Sequence, residues 1–111
     1  MIISELTKKT NLSIIAGKGG INNEITGGYT SDLLSDVMGN IKDGNVWITL
    51  QMHNNVMAIA SLRNVSAIIL VKNLQPDDEM IAHAEEENIP ILGTELETFE
   101  ISGIIYNLLN Y

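Results

Sequence analysis

Ala67-Ile68-Ile69-Leu70-Val71 is an unbroken apolar run, too short for a helix of ordinary length and rich in β-branched residues. A run of this kind marks a strand covered on both faces, as in a parallel sheet sandwiched by helices. The pattern repeats on either side. Upstream, Val46-Trp47-Ile48-Thr49-Leu50 reads as a strand, and residues 54–63 as a helix carrying Val56, Ile59, Ala60 and Leu62. Downstream, Pro76 with Asp77, Asp78 and Glu79 opens a helix whose Met80, Ile81 and Ala84 face inward. Proline suits a first helical turn, and carboxylates there complement the helix dipole. Ile89-Pro90-Ile91-Leu92 is a third short strand. A last helix follows with Ile101, Ile104, Ile105 and Leu108, started by a Thr94–Glu97 capping box or by Thr98 alone. Three strand–helix units in succession predict parallel strands joined by right-handed crossovers.

The first forty residues do not follow that rhythm. Residues 2–9 place Ile2, Ile3 and Leu6 at helical spacing, and Leu12-Ser13-Ile14-Ile15-Ala16 reads as a strand. Gly17-Lys18-Gly19-Gly20 marks a turn. Glu24-Ile25-Thr26-Gly27-Gly28-Tyr29 is a strand whose glycine pair predicts a bulge or a close backbone approach. Thr30 or Ser31 is expected to cap a helix with Asp32 in its first turn and Leu33, Leu34, Val37, Met38 and Ile41 on its buried stripe, closed by Asp43-Gly44. The expected fold is α/β: a mainly parallel sheet of three βα units flanked by helices, with an added glycine-rich N-terminal strand or hairpin. One domain is expected over residues 1–111; strand order is not legible.

Composition narrows the function. Hydrophobic residues make up 45% and charged residues 18%, enough for a packed core, and with only 5% aromatics that core is aliphatic. The absence of cysteine removes disulfides, thiolate metal sites and thiol nucleophiles. Fourteen acids against six bases give a net charge of −8, which repels nucleic-acid phosphates and anionic membranes alike. No apolar run reaches the about 18 residues of a spanning helix, and no basic segment leads into an apolar one at the start. A cytoplasmic protein without cofactor or metal is expected.

Few residues invite chemistry. Gly17-Lys18-Gly19-Gly20 lacks the longer glycine frame and the Lys-Ser/Thr pair of a nucleotide P-loop, so it reads as a surface turn. Thr26, Gly27, Gly28, Thr30 and Ser31 precede an expected helix N-terminus, where exposed N–H groups can hold an anion, although Asp32 and Asp36 would compete with it. The plainer account is a bulge followed by a cap. His83 lies one helical turn from both Glu79 and Glu87 and reads as part of a solvated ion pair. His53 and Asn54 fall at the carboxyl edge of the expected sheet, with Gln51, Lys72, Asn73, Gly93 and Thr94. Open parallel sheets bind ligands at that edge. Glu85-Glu86-Glu87 reads as the wet face of a helix. No nucleophile elbow, zinc-binding H-E-x-x-H or dinucleotide fingerprint is present.

Ile25-Thr26-Gly27-Gly28, followed by Thr30-Ser31-Asp32-Leu33-Leu34-Ser35-Asp36-Val37-Met38, resembles the signature region of the DRTGG domain family. Gly44-Asn45-Val46-Trp47-Ile48-Thr49, the stretch 65–71 and Ile89-Pro90-Ile91-Leu92 are similar to later blocks of that family. Where the family name implies Asp-Arg before Thr-Gly-Gly, this chain has Glu24-Ile25, and Ile25 offers neither charge nor donors to any ligand or partner contact that relies on that guanidinium. The resemblance implies an α/β accessory module. Similar modules accompany CBS pairs in regulated pyrophosphatases, occur in phosphotransacetylases and look related to the N-terminal domain of HPr kinase/phosphorylase, with chemistry carried by other domains.

The leading expectation is therefore a non-catalytic regulatory or assembly module, a homodimer acting through protein contacts. Met52, Val56 and Met57 exceed one core's obvious needs and suit an adaptable surface. A sensor for a nucleotide or other anion is the alternative. A component of a phosphotransfer enzyme would need its active site from a partner protein.

Overall fold

In the computed structural model, which describes residues 1–109, the chain runs α1 (Ile3–Thr10), β1 (Ser13–Ala16), a 3-10 turn (Lys18–Gly20), β2 (Gly27–Thr30), α2 (Leu34–Asn40), β3 (Asn45–Thr49), α3 (Asn55–Leu62), β4 (Ala67–Leu70), α4 (Asp78–Glu87), β5 (Ile91–Gly93) and α5 (Thr98–Leu108). The strands form one sheet in the order β1-β5-β4-β3-β2. β2 to β5 are mutually parallel and β1 runs antiparallel to β5 at the edge. Each crossover steps one place in the same direction, so right-handed connections put α2, α3 and α4 on one face. α1 and α5 cover the other.

Side chains alternate between these two layers with the strand period of two. Trp47, Ile68 and Leu70 pack with Val37, Val56, Met57 and Met80 on the α2–α3–α4 side. Val46, Ile48, Ala67 and Ile69 pack with Ile3, Leu6, Ile101 and Ile105 on the other. Both faces of β4 are covered, which is why its sequence shows no polar alternation.

Local chemistry ends the elements. Asp77 caps α4 by accepting the Met80 N–H at 2.8 Å. Asn11 and Asn88 close α1 and α4 in the left-handed region at φ 56° and 55°, where asparagine is among the few tolerated side-chain-bearing residues. Gly17 is required twice over: its φ is +74°, and a Cβ there would lie 2.3 Å from the Ile89 carbonyl oxygen.

Several expectations need correction. The β2–β3 register is unbroken from Gly27↔Asn45 to Thr30↔Ile48, so the glycine pair forms no bulge, and Glu24 makes only an isolated bridge to Ile2. β1 and β2 occupy opposite edges, so of the expected strand or hairpin it is the added edge strand that forms. β2–α2 is itself a βα unit, and the rhythm runs through four units rather than three; an edge strand beginning with two glycines hides its apolar signature. Neither Thr30 nor Ser31 caps α2, which starts at Leu34 after Leu33 with no side-chain cap. α5 starts after Glu97, whose N–H donates to the Glu100 carboxylate at 3.2 Å, while Thr94 Oγ1 accepts from Leu96 N at 3.1 Å. Leu33, expected on the buried stripe of α2, is 65% exposed, and Ile104 of α5 is 40% exposed.

Candidate functional site

Ser31 and Asp32 leave β2 at the carboxyl end of the sheet and are held there by β3. The buried Trp47 donates its Nε1–H to the Ser31 carbonyl at 2.9 Å. Ser31 Oγ accepts the Leu33 N–H at 3.2 Å. Asp32 Oδ1 accepts the hydroxyl of fully buried Thr49 at 2.8 Å and the Leu50 N–H at 2.7 Å. Gln51 Nε2 then donates to the Asp32 carbonyl at 3.0 Å. The carboxylate thus latches two strand ends together and pulls the chain away from an early helical start. Sequence reasoning placed Asp32 in a helix's first turn and as a competitor for anions; its partners lie on a neighbouring strand, so sequence spacing held no sign of this role.

The expected group Thr26, Gly27, Gly28, Thr30 and Ser31 is spread along β2 from end to end. Thr26, at the amino end, donates to the Asp43 carbonyl at 2.7 Å and accepts from Asn45 Nδ2 at 3.2 Å. Thr30 Oγ1 meets Ser102 Oγ of α5 at 2.9 Å. Gly28, Thr30, Ile48, Ser102 and Ile105 share a groove of about 100 Å³ between β2 and α5.

His53 and Asn54 lie apart from this group in their contacts. His53 Nδ1 approaches Asp77 Oδ2 at 3.5 Å, and Asn54 Oδ1 meets His83 Nδ1 at 3.3 Å. His83 Nε2 also lies 3.8 Å from Glu87 Oε1, the one-turn pair expected from spacing. The rest of the expected edge divides again, with Asn73, Gly93 and Thr94 bordering a separate cleft of about 390 Å³ beside Thr10, Asn11 and Ser13.

Tyr29 ties β2 to α2 by donating its hydroxyl to Asp36 Oδ2 at 2.8 Å. That hydrogen bond, helped by Ser31 and to a smaller extent by Asn40, holds the Asp36 carboxyl below its ordinary 3.8 against an opposing desolvation. The same bond, with desolvation and the facing negative charge, raises the Tyr29 phenol above its ordinary 10.0.

At the amino end of the sheet a polar cleft of about 330 Å³ is lined by Asn23, Thr26, Asp43, Asn64, Ser66 and neighbours. Ser66 Oγ bridges the carbonyls of Glu24 and Gly44, the latter at 2.8 Å. Asn23 Nδ2 donates to the carbonyls of Ser66 and Asn88 at 3.2 and 3.1 Å. These groups tie loops to one another, and sequence patterning gave no sign of them. Among the described residues no three His, Cys, Asp or Glu side chains gather as a metal set, and no helix is long and apolar enough to cross a membrane.

A sheet with four parallel strands, helices on both faces and hydrogen-bonded latches at its ends places the protein among covered α/β domains. The family model for the DRTGG domain matches residues 5–108, and the chain belongs to that family. It is 31% identical over 55 residues to HPr kinase/phosphorylase of Latilactobacillus sakei subsp. sakei (strain 23K), covering 50% of this chain and 18% of that protein. Among solved structures it is similar to the CBS and DRTGG domains of the regulatory region of Clostridium perfringens pyrophosphatase, complexed with the activator diadenosine tetraphosphate. That match has a TM-score of 0.59 and 21% identity, over 70% of this chain and 34% of the other. The likeness shows the fold. In both comparisons the chain spans well under half of the longer protein.

Proposed function

We propose that this chain is a non-catalytic regulatory or assembly module, cytoplasmic, acting as a homodimer through protein contacts, with any chemistry carried by a partner protein. Residues 1–111 serve as one DRTGG-like unit. Membership of a family that occurs in the regulatory region of a pyrophosphatase supports this reading. The observation that carries it is apolar exposure on a strongly acidic chain: Phe99 is 89% exposed, Leu62 71% and Leu33 65%. They lie on different elements, and each offers an apolar anchor for a contact with another protein. Thermal unfolding followed by Trp47 fluorescence tests it, because dimer formation makes the midpoint depend on protein concentration. The midpoint is expected to rise with concentration; a midpoint independent of it counts against the homodimer.

A second reading, a nucleotide or anion sensor, is favoured by the activator in the pyrophosphatase regulatory region. Its candidate contacts are Thr26, Gly27, Gly28, Thr30, Ser31, His53 and Asn54. Diadenosine tetraphosphate at a hundred times its dissociation constant would add about 2.7 kcal/mol of stability. A stabilisation of that size, lost in His53→Ala, supports the sensor; no stabilisation by it or by inorganic phosphate removes that reading.

A further inference from the structure

We propose that the cleft at the carboxyl end of β5 is a binding site for a small neutral polyhydroxylated ligand, a free sugar or cyclic polyol. The inference goes beyond the regulatory reading and does not depend on self-association. The cleft, of about 390 Å³, lies where the connections of the sheet diverge: β4 leads into α4 on one face, β5 into α5 on the other. Open α/β sheets leave their ligand crevice at such a switch point, beyond the carboxyl ends of the strands. Its volume falls within the roughly 300–1,000 Å³ of small-molecule sites.

The loop beside the cleft is held against local preference. Lys72 and Asn73 both lie in the left-handed region, at φ 57° and 60°. They are the central pair of a turn closed by the Leu74 N–H, which donates to the Val71 carbonyl at 3.1 Å. Asparagine tolerates that region, whereas lysine has no short polar group to ease it. The strain persists because the neighbouring loop fixes it: Lys72 N–H donates to the Leu96 carbonyl and Asn73 N–H to the Thr94 carbonyl, each at 2.9 Å. Residues kept in strained backbone by their surroundings gather at ligand sites, where a border set in advance lowers the cost of binding.

The lining decides the class of ligand. Thr10 donates its hydroxyl to the Leu6 carbonyl at 2.6 Å and Ser13 to the Gly93 carbonyl at 3.3 Å, so both keep lone pairs as acceptors. Thr94 does the opposite: its oxygen accepts the Leu96 N–H at 3.1 Å, leaving the O–H to donate. The carboxamides of Asn11 and Asn73 and the carboxylate of Glu95 make no bond to the described residues. Donors and acceptors therefore share one cleft, and hydroxyl groups, each able to do both, answer both. Glu95 is the one charged side chain of the lining, and on a chain of net charge −8 it turns phosphates and carboxylates away. No aromatic ring lines the cleft, so a nucleobase finds nothing to stack on.

Asn11 and Asn73 offer a test separable from damage to the fold. Both sit at positive φ, so Asn11→Gly with Asn73→Gly removes two carboxamides from backbone that glycine adopts at least as readily. The double variant is expected to melt no lower than the native chain. Ribose, glucose and inositol are titrated separately into the full chain, with inorganic phosphate alongside, and backbone amide chemical shifts are followed. At least one of the polyols is expected to move the amides of Asn11, Ser13, Asn73 and Thr94 saturably. The double variant is expected to weaken that binding at least about tenfold. No saturable shift with any polyol, shifts centred elsewhere, or binding retained by the double variant overturns the site. Equal shifts with phosphate overturn the neutral class of ligand.

Discussion

Asp32 shows how one side chain sets local structure against its own propensity. As an early-turn residue it would favour a helix starting at Ser31, yet its carboxylate is held by Thr49 and Leu50 of the neighbouring strand end. Asp32→Ala leaves the buried Thr49 hydroxyl without this acceptor and is expected to cost about 1–3 kcal/mol in urea unfolding. The Tyr29–Asp36 bond adds a pH dependence. A depressed carboxyl contributes stability above the ordinary 3.8, which is lost as pH falls through its lower folded-state value. A raised phenol contributes stability below 10.0, lost as pH rises through its higher folded-state value. Urea titrations of Tyr29→Phe should therefore show the largest deficit at neutral pH, shrinking below the ordinary carboxyl range and again in strong alkali. A deficit constant with pH would contradict the role given to the bond. Neither latch was legible in the sequence: the partners of Asp32 depend on β2 lying beside β3, and the Tyr29–Asp36 bond depends on how α2 folds back on β2.

At the scale of elements, the regular part of the chain was readable and its glycine-rich part was not. β3 and β4 are continuous apolar runs because both of their faces are buried, and α4 shows the helical spacing of Met80 and Ala84. β2 is an edge strand whose first two residues are glycines, so it carries too little apolar signal to be placed beside β3. The glycines themselves differ in what they answer to. Gly17→Ala places a methyl group against the Ile89 carbonyl at a positive φ and is expected to lose more than about 1 kcal/mol by thermal unfolding. Gly103→Ala meets open space and should gain about 0.5–1 kcal/mol at concentrations low enough to keep the chain monomeric. Equal effects at the two positions would mean that neither close approach nor helix propensity governs them.

For the whole molecule, the residues singled out for binding mostly fail to converge: Thr26 sits at one end of the sheet, His53 and Asn54 contact α4, and Asn73, Gly93 and Thr94 border a cleft of their own. Composition could not foresee this, because position at a strand's end says nothing of which strands are neighbours. What the whole surface offers instead is strong negative charge broken by large exposed apolar side chains, Phe99, Leu62 and Leu33 among them. Sedimentation equilibrium of the full native chain, from submicromolar to high micromolar concentration, measures the consequence most directly. A reversible shift from the 12.2 kDa chain toward twice that mass is the predicted result. A single 12.2 kDa species across the whole range would contradict it.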